Sequence, residues 1–167
     1  MTKKTPNKSN PIEKIEWIQA SKLIANEYNP NHVLPEELRL IELSILQNGW
    51  IQPILITKNN VIIDGFHRAT IGRLNDWIVP CCILDISEPE RMLLTIRINR
   101  AKGTHIAFKM AEIIKKLVND FKLTKDYIAN SIGATKKEIE LLLQEDVFKK
   151  LDIANHTYSK AWQVKNK

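Results

Sequence analysis

Apolar residues in the first hundred positions fall into short runs broken by turn residues, and beyond them only a helical stripe remains. Ile15 to Ile18 is a short strand candidate, and Asn29-Pro30-Asn31 marks a turn. Pro35 suits a helix start, because its missing N–H is one that the first turn leaves unpaired in any case. Between Glu36 and Gln47 the residues Leu38, Ile41, Leu43, Ile45 and Leu46 fall mostly on one helical face, and Asn48-Gly49 supplies the stop. Pro53 to Thr57 and Val61 to Asp64 are strand-like runs around Lys58-Asn59-Asn60, which predicts a hairpin. A helix from His67 to about Leu74, a strand from Ile78 to Leu84 and a helix from Glu88 to Ile98 would complete a small mixed sheet with its helices.

From Ala107 to Phe121 the residues Met110, Ile113, Ile114, Leu117, Val118 and Phe121 recur at helical spacing, the stripe of a core-facing helix. Thr124 to Gln144 then reads as two short helices joined at Gly133. Thr124 caps the first, Ile128 and Ile132 face inward, and Ala129 lets the second helix pass closely. Thr135 caps the second, whose Ile139 and Leu142 pack back. In a helix-turn-helix this places Thr135, Lys136, Lys137 and Glu140 near the start or exposed face of a recognition helix, which enters a DNA major groove. The same unit also serves elsewhere as plain packing, and Glu138, Glu140, Glu145 and Asp146 weaken the positive field here.

Composition adds a direction. The chain has 167 residues, enough for one domain or two small ones, and the change of pattern favours two. Its 25 Lys and Arg against 19 Asp and Glu leave a charge of +6, which favours an anionic partner such as nucleic acid. No stretch approaches the roughly 20 apolar residues of a membrane span, and the polar start lacks the apolar centre of a signal peptide. A cytoplasmic protein without a membrane partner is the expectation. Cys81 and Cys82 are adjacent in an apolar run, a poor geometry for a disulfide, and no zinc set accompanies them. Residues 1–12, rich in Lys, Asn, Ser and Pro, read as a disordered leader. Tyr158 and Trp162 in the tail, four apart, suit packing on the helical module or stacking on a base.

Two groups of residues bear chemistry. Asp64-Gly65-Phe66-His67-Arg68 ends a strand at a glycine and opens a helix. Unpaired first-turn N–H groups and an arginine can together grip an oxyanion, although such a turn is also common without any ligand. Arg91, Arg97, Arg100 and Lys102, followed by His105, form a local cationic cluster suited to the phosphates of a nucleotide or of DNA, or simply to a solvated face. Asp64 and His67 are the candidate catalytic groups for proton transfer, with His105 a further one. Asp64 would orient a histidine or cap the helix at His67.

From about Ile15 to Leu143 the order of these signals resembles the ParB and sulfiredoxin-like superfamily, and within it the phage and prophage ParB-like proteins that join a nucleotide-binding domain to a helix-turn-helix. The resemblance rests on Glu37 to Ile54, with its helix, glycine and Gln-Pro-Ile strand, on Asp64 to Arg68, similar to a Gly-x-x-Arg phosphate motif, and on Arg97 to His105, in the place of an Asn- and Arg-containing nucleotide box. It implies an α+β fold: a small mixed-sheet domain at 13–103 followed by an all-helical module at 104–167, with the helix-turn-helix at 124–144.

The resemblance also implies roles. Gly49, Gln52 and Pro53 would lie near a base or sugar, Gly65, His67 and Arg68 on its phosphates, Asn99 on a Mg2+ ion and Arg100 on phosphate. The cofactor would be a nucleoside triphosphate, CTP or ATP, and the partners the nucleotide and double-stranded DNA, with a homodimer among the expected assemblies. Ile98 stands where partition proteins carry an acid, and Phe66 stands where sulfiredoxin has its cysteine, which removes the nucleophile for sulfinic acid reduction. The short stretch after the helix-turn-helix favours a phage or prophage regulator or a DNA-modification accessory over a segregation protein. The alternative is an enzyme, a kinase-like phosphotransferase or a nuclease in the same pocket, for which Asp64 or Glu37 would be the base.

Overall fold

A computed structural model describes residues 10–26, 35–102 and 107–144, which divide into two compact units, 1–91 and 92–167. The turn at 29–31, Gly103-Thr104-His105, Glu145-Asp146, and the tail with Tyr158 and Trp162 lie outside the described residues.

The first unit is built on a four-stranded mixed sheet in the order β1-β4-β2-β3. β1 (Ile15–Gln19) runs antiparallel to β4 (Ile78–Leu84), β2 (Ile54–Thr57) runs parallel to β4, and β3 (Ile62–Asp64) returns antiparallel to β2. The expected hairpin is present. Asn60 takes φ +61, its N–H reaches Thr57 O at 2.9 Å, and asparagine tolerates that left-handed turn better than most residues. Because side chains alternate along a strand, Ile54 and Ile56 are buried while Leu55 and Thr57 are only half-buried. Ile54, Ile56, Val79 and Cys81 form the inner face, packed with Ile62, Ala20, Leu23 and Ala69.

Ala69 comes from α2 (Phe66–Leu74), the crossover between β3 and β4. Within α2, Gly72 meets β4 so closely that a Cβ there would lie 2.6 Å from Val79 Cγ1 and 2.9 Å from Ala20 Cβ. Arg73 donates to the carbonyls of Ala20 and Leu23, fastening the turn after β1. Trp50 and Trp77 meet edge to face, 6.2 Å between ring centres.

One expectation about this unit needs correction. The leader does not run unbroken to residue 12: Pro11–Glu13 forms a 3-10 turn, closed by Asn10 Nδ2 donating to Glu13 Oε1 at 2.7 Å. α1 (Pro35–Asn48) has only part of its apolar side covered. Leu38, Ile41 and Ile45 are half-buried, whereas Leu43 and Leu46 are exposed, because the covered face holds only positions separated by three and four.

α3 (Glu88–Ala101) leads into the second unit, which contains α4 (Ala107–Asn119), α5 (Lys125–Ile132) and α6 (Lys136–Leu143). Met110, Ile113, Ile114 and Leu117 of α4 are buried, as are Ile128, Ala129 and Ile132 of α5 and Ile139 and Leu142 of α6, and all three helices pack on one another. Thr124 Oγ1 accepts from Tyr127 N at 3.2 Å and Thr135 Oγ1 from Glu138 N at 3.1 Å, so both expected caps are made. Gly133 takes φ +69 between α5 and α6, the left-handed conformation that closes a helix C-terminus. No helix among the described residues is long and apolar enough to cross a membrane.

Candidate functional site

A cleft of about 360 Å³ opens in the first unit between α1 and the segment that follows it. Leu40, Ile41, Ser44 and Ile45 of α1 form one wall, Gly49 to Gln52 another, and Arg68 of α2 supplies the cation. Gly49 at φ +74 ends α1, its N–H bonded to Ile45 O at 2.8 Å, and the left-handed turn it permits carries the chain round the cleft.

Arg68 is held from three sides. Nη1 donates to Gln52 Oε1 at 3.2 Å, Nη2 donates to Pro53 O at 3.3 Å, and Nη2 stands 3.6 Å from Asp64 Oδ2. Its Nε is buried with no hydrogen-bond partner among the described residues. Burial pulls the guanidinium pKa down from its ordinary value, and Asp64 opposes this by favouring the charge. The cation is therefore partly stripped of solvent, which favours a further anionic partner on the side that lines the cleft.

Gly65 makes the arrangement fit. It is the N-cap of α2 at φ +96, and a Cβ there would stand 2.9 Å from Arg68 Nη2 and 3.3 Å from Ile54 Cα. Asp64, at the end of β3, is not the helix cap; it is the ion-pair partner of Arg68. His67 lies half-buried in the first turn of α2.

Gly49, Gln52, Pro53, Asp64, Gly65, His67 and Arg68 thus share the first unit, whereas Asn99 and Arg100 lie on α3 in the second. Asn99 is buried. Arg100 Nη1 is 2.5 Å from Glu138 Oε1, and Arg97 Nε donates to Ser131 O at 2.7 Å. Arg91 is buried beside Glu88, 3.5 Å away, so the four cations do not form one open patch. Thr135 caps α6, Lys136 pairs with Asp126 at 3.2 Å, and Lys137 and Glu140 are exposed. The cleft wall of Leu40, Ile41, Ser44, Ile45, Trp50 and Ile51 was not foreseen; its signal was the surplus of apolar positions on α1, more than one buried face needs.

The four-stranded mixed sheet thus carries a strand-glycine-helix turn that sets Arg68 at the cleft. Residues 4–99 match the ParB N-terminal domain family, to which this chain belongs. It is 35% identical over 173 residues to the uncharacterized protein YbdM of Escherichia coli (strain K12), covering 96% of this chain and 81% of that one. It is 26% identical over 137 residues to the probable chromosome-partitioning protein ParB of Rickettsia bellii (strain RML369-C), covering 80% of this chain and 47% of the relative, so it spans about half the length of that partition protein. In fold it is similar to the C-terminally truncated chromosome-partitioning protein ParB from Caulobacter crescentus complexed to the centromeric parS site: TM-score 0.54, 20% identity, 85% of this chain and 80% of that chain.

Proposed function

We propose that this ParB-like chain binds duplex DNA through its helical unit, and that a bound nucleoside triphosphate, CTP or ATP, controls that binding. The observation that carries the reading is Arg68, a half-buried cation with an unsatisfied Nε at the edge of a cleft and beside the N-terminus of α2. Gly65, His67 and Arg68 hold the phosphates. Gly49, Gln52 and Pro53, with the apolar wall of α1, take the base or sugar. The helix pair α5 and α6 acts as a helix-turn-helix, presenting Thr135, Lys136, Lys137 and Glu140 to the major groove. Duplex DNA as partner accords with the parS complex of the Caulobacter relative.

A Mg2+ ion held mainly by phosphate oxygens belongs to the same reading, with Asn99 the amide ligand that the resemblance implies. The nucleotide acts as a switch through its different affinities for the conformations that do and do not engage DNA. The cytoplasmic setting, a homodimer and the phage or prophage regulator role belong to the same reading and rest on the resemblance. The enzyme alternative gains nothing from the geometry, since Asp64 serves as counter-ion to Arg68.

Calorimetric titration with CTP, ATP and GTP in magnesium tests the pocket and its base preference. Arg68→Ala is expected to weaken nucleotide binding by about tenfold or more, as loss of a charge-assisted grip requires, and to uncouple DNA affinity from nucleotide. Unchanged nucleotide and DNA affinities in that variant would refute the mechanism.

A further inference from the structure

Two arginines of α3 converge on the turn between α5 and α6. Arg97 Nε donates to Ser131 O at 2.7 Å, in the last turn of α5, where helix carbonyls lack intrahelical partners. Arg100 Nη2 donates to Gly133 O at 3.4 Å, the left-handed residue that ends α5. The same guanidinium reaches Glu138 in the first turn of α6, with Nη1 2.5 Å from Oε1 and Nη2 3.5 Å from Oε2. One side chain thus spans the end of one helix and the start of the next.

Glu138 makes this informative. Thr135-Lys136-Lys137-Glu138 has the sequence of a capping box, in which the glutamate turns back to the N-cap N–H. Only the threonine half is made: Glu138 N donates to Thr135 Oγ1, while the Glu138 carboxylate is engaged by Arg100. The start of α6 is tied to α3 rather than closed on itself. The pairing also neutralises a carboxylate one residue from Lys137, where it would otherwise oppose a polyanion.

We propose that Arg97 and Arg100 are positioning residues, a latch that sets the presentation of α6 and masks Glu138, and that neither contacts nucleotide or DNA phosphate. The inference rests on the reading of α6 as the DNA-reading helix. It reassigns the arginines of the Arg-Ile-Asn-Arg box from ligand contact to support.

The full chain carrying Arg100→Gln, Glu138→Gln, both together, or the reversed pair Arg100→Glu with Glu138→Arg tests it. Amide hydrogen exchange at Ala134, Glu138 and Ile139 should quicken about tenfold in each single variant, no further in the double, and recover in the reversed pair, as a shared interaction demands. Affinity for a DNA duplex should fall in Arg100→Gln while the slope of log affinity against log salt stays constant. A lost phosphate contact would instead reduce that slope by about 0.9. Unchanged exchange, a reduced slope, or weaker CTP binding in Arg100→Gln alone would overturn the latch. If the unaltered chain fails to bind DNA, the proposed function falls, and the exchange result still decides whether the latch exists.

Discussion

Gly65 and Arg68 share one small space: a methyl group on Gly65 would stand 2.9 Å from Arg68 Nη2, and the backbone there is held at φ +96. Gly65→Ala therefore meets both a steric and a conformational penalty. The left-handed strain alone costs about 1–2 kcal/mol, and the guanidinium must leave its bonds to Gln52 and Pro53 to clear the methyl. The expected outcome is a lower denaturation midpoint in urea together with weaker nucleotide binding. A variant that kept full nucleotide affinity would show that the placement of Arg68 is immaterial.

Gly72 sets a second close approach, of a different kind. Its backbone is helical and unstrained, but a Cβ would lie 2.6 Å from Val79 Cγ1 and 2.9 Å from Ala20 Cβ, both in the core. Gly72→Ala should destabilise the first unit by about 1–3 kcal/mol through overpacking, despite the better helix propensity of alanine. Pairing it with Val79→Ala removes Cγ1 and should recover part of the loss, which thermal denaturation of the two variants would read.

Elements governed by local chemistry were legible in the sequence. The β2–β3 hairpin follows from Lys58-Asn59-Asn60, and the end of α5 from Gly133. The core faces of α4, α5 and α6 follow from helical spacing. What depends on distant partners was not legible. A sequence shows the charge of Arg97 and Arg100 but not their contacts with Ser131 and Glu138, 34 and 38 residues further on. Spacing reveals the apolar side of α1 without showing how much of it a neighbour covers, and Leu43 and Leu46 are left exposed. The Gly-x-x-Arg turn marked the cation of the cleft, but its apolar wall depends on where α1 lies against it, and only the fold shows that.

Cys81 and Cys82 are buried neighbours in β4. Burial, then Glu16 and Cys82, push the Cys81 thiol up to about 11, and burial raises Cys82. Neutral thiols are poor nucleophiles, so a disulfide-exchange reagent at pH 8 should leave both untouched in the native chain and react with both after denaturation. The linkage has a definite sign. With the folded value above the unfolded one, the unfolded chain releases the proton first, so this contribution to stability is complete below the ordinary thiol value of 9.0 and is lost as pH rises towards 11. Cys81→Ser should flatten that alkaline decline in urea titrations at a series of pH values.

Thr135 stands where a cap and a DNA contact would coincide, and two substitutions separate the roles. Its Oγ1 accepts from Glu138 N at 3.1 Å, so Thr135→Ala should cost about 1 kcal/mol in stability as the first turn of α6 loses a cap. Aspartate caps as well as threonine and favours the helix N-terminus through its charge, so Thr135→Asp should hold the denaturation midpoint. It also places a carboxylate beside Lys136 and Lys137, at the surface assigned to DNA, where a phosphate backbone would repel it. The expected result is wild-type stability with DNA affinity reduced, most at low salt, where that repulsion is least screened. Wild-type DNA affinity at all salt concentrations would mean that the start of α6 does not face the duplex, and the reading of this helix pair as the DNA-binding element would have to be given up.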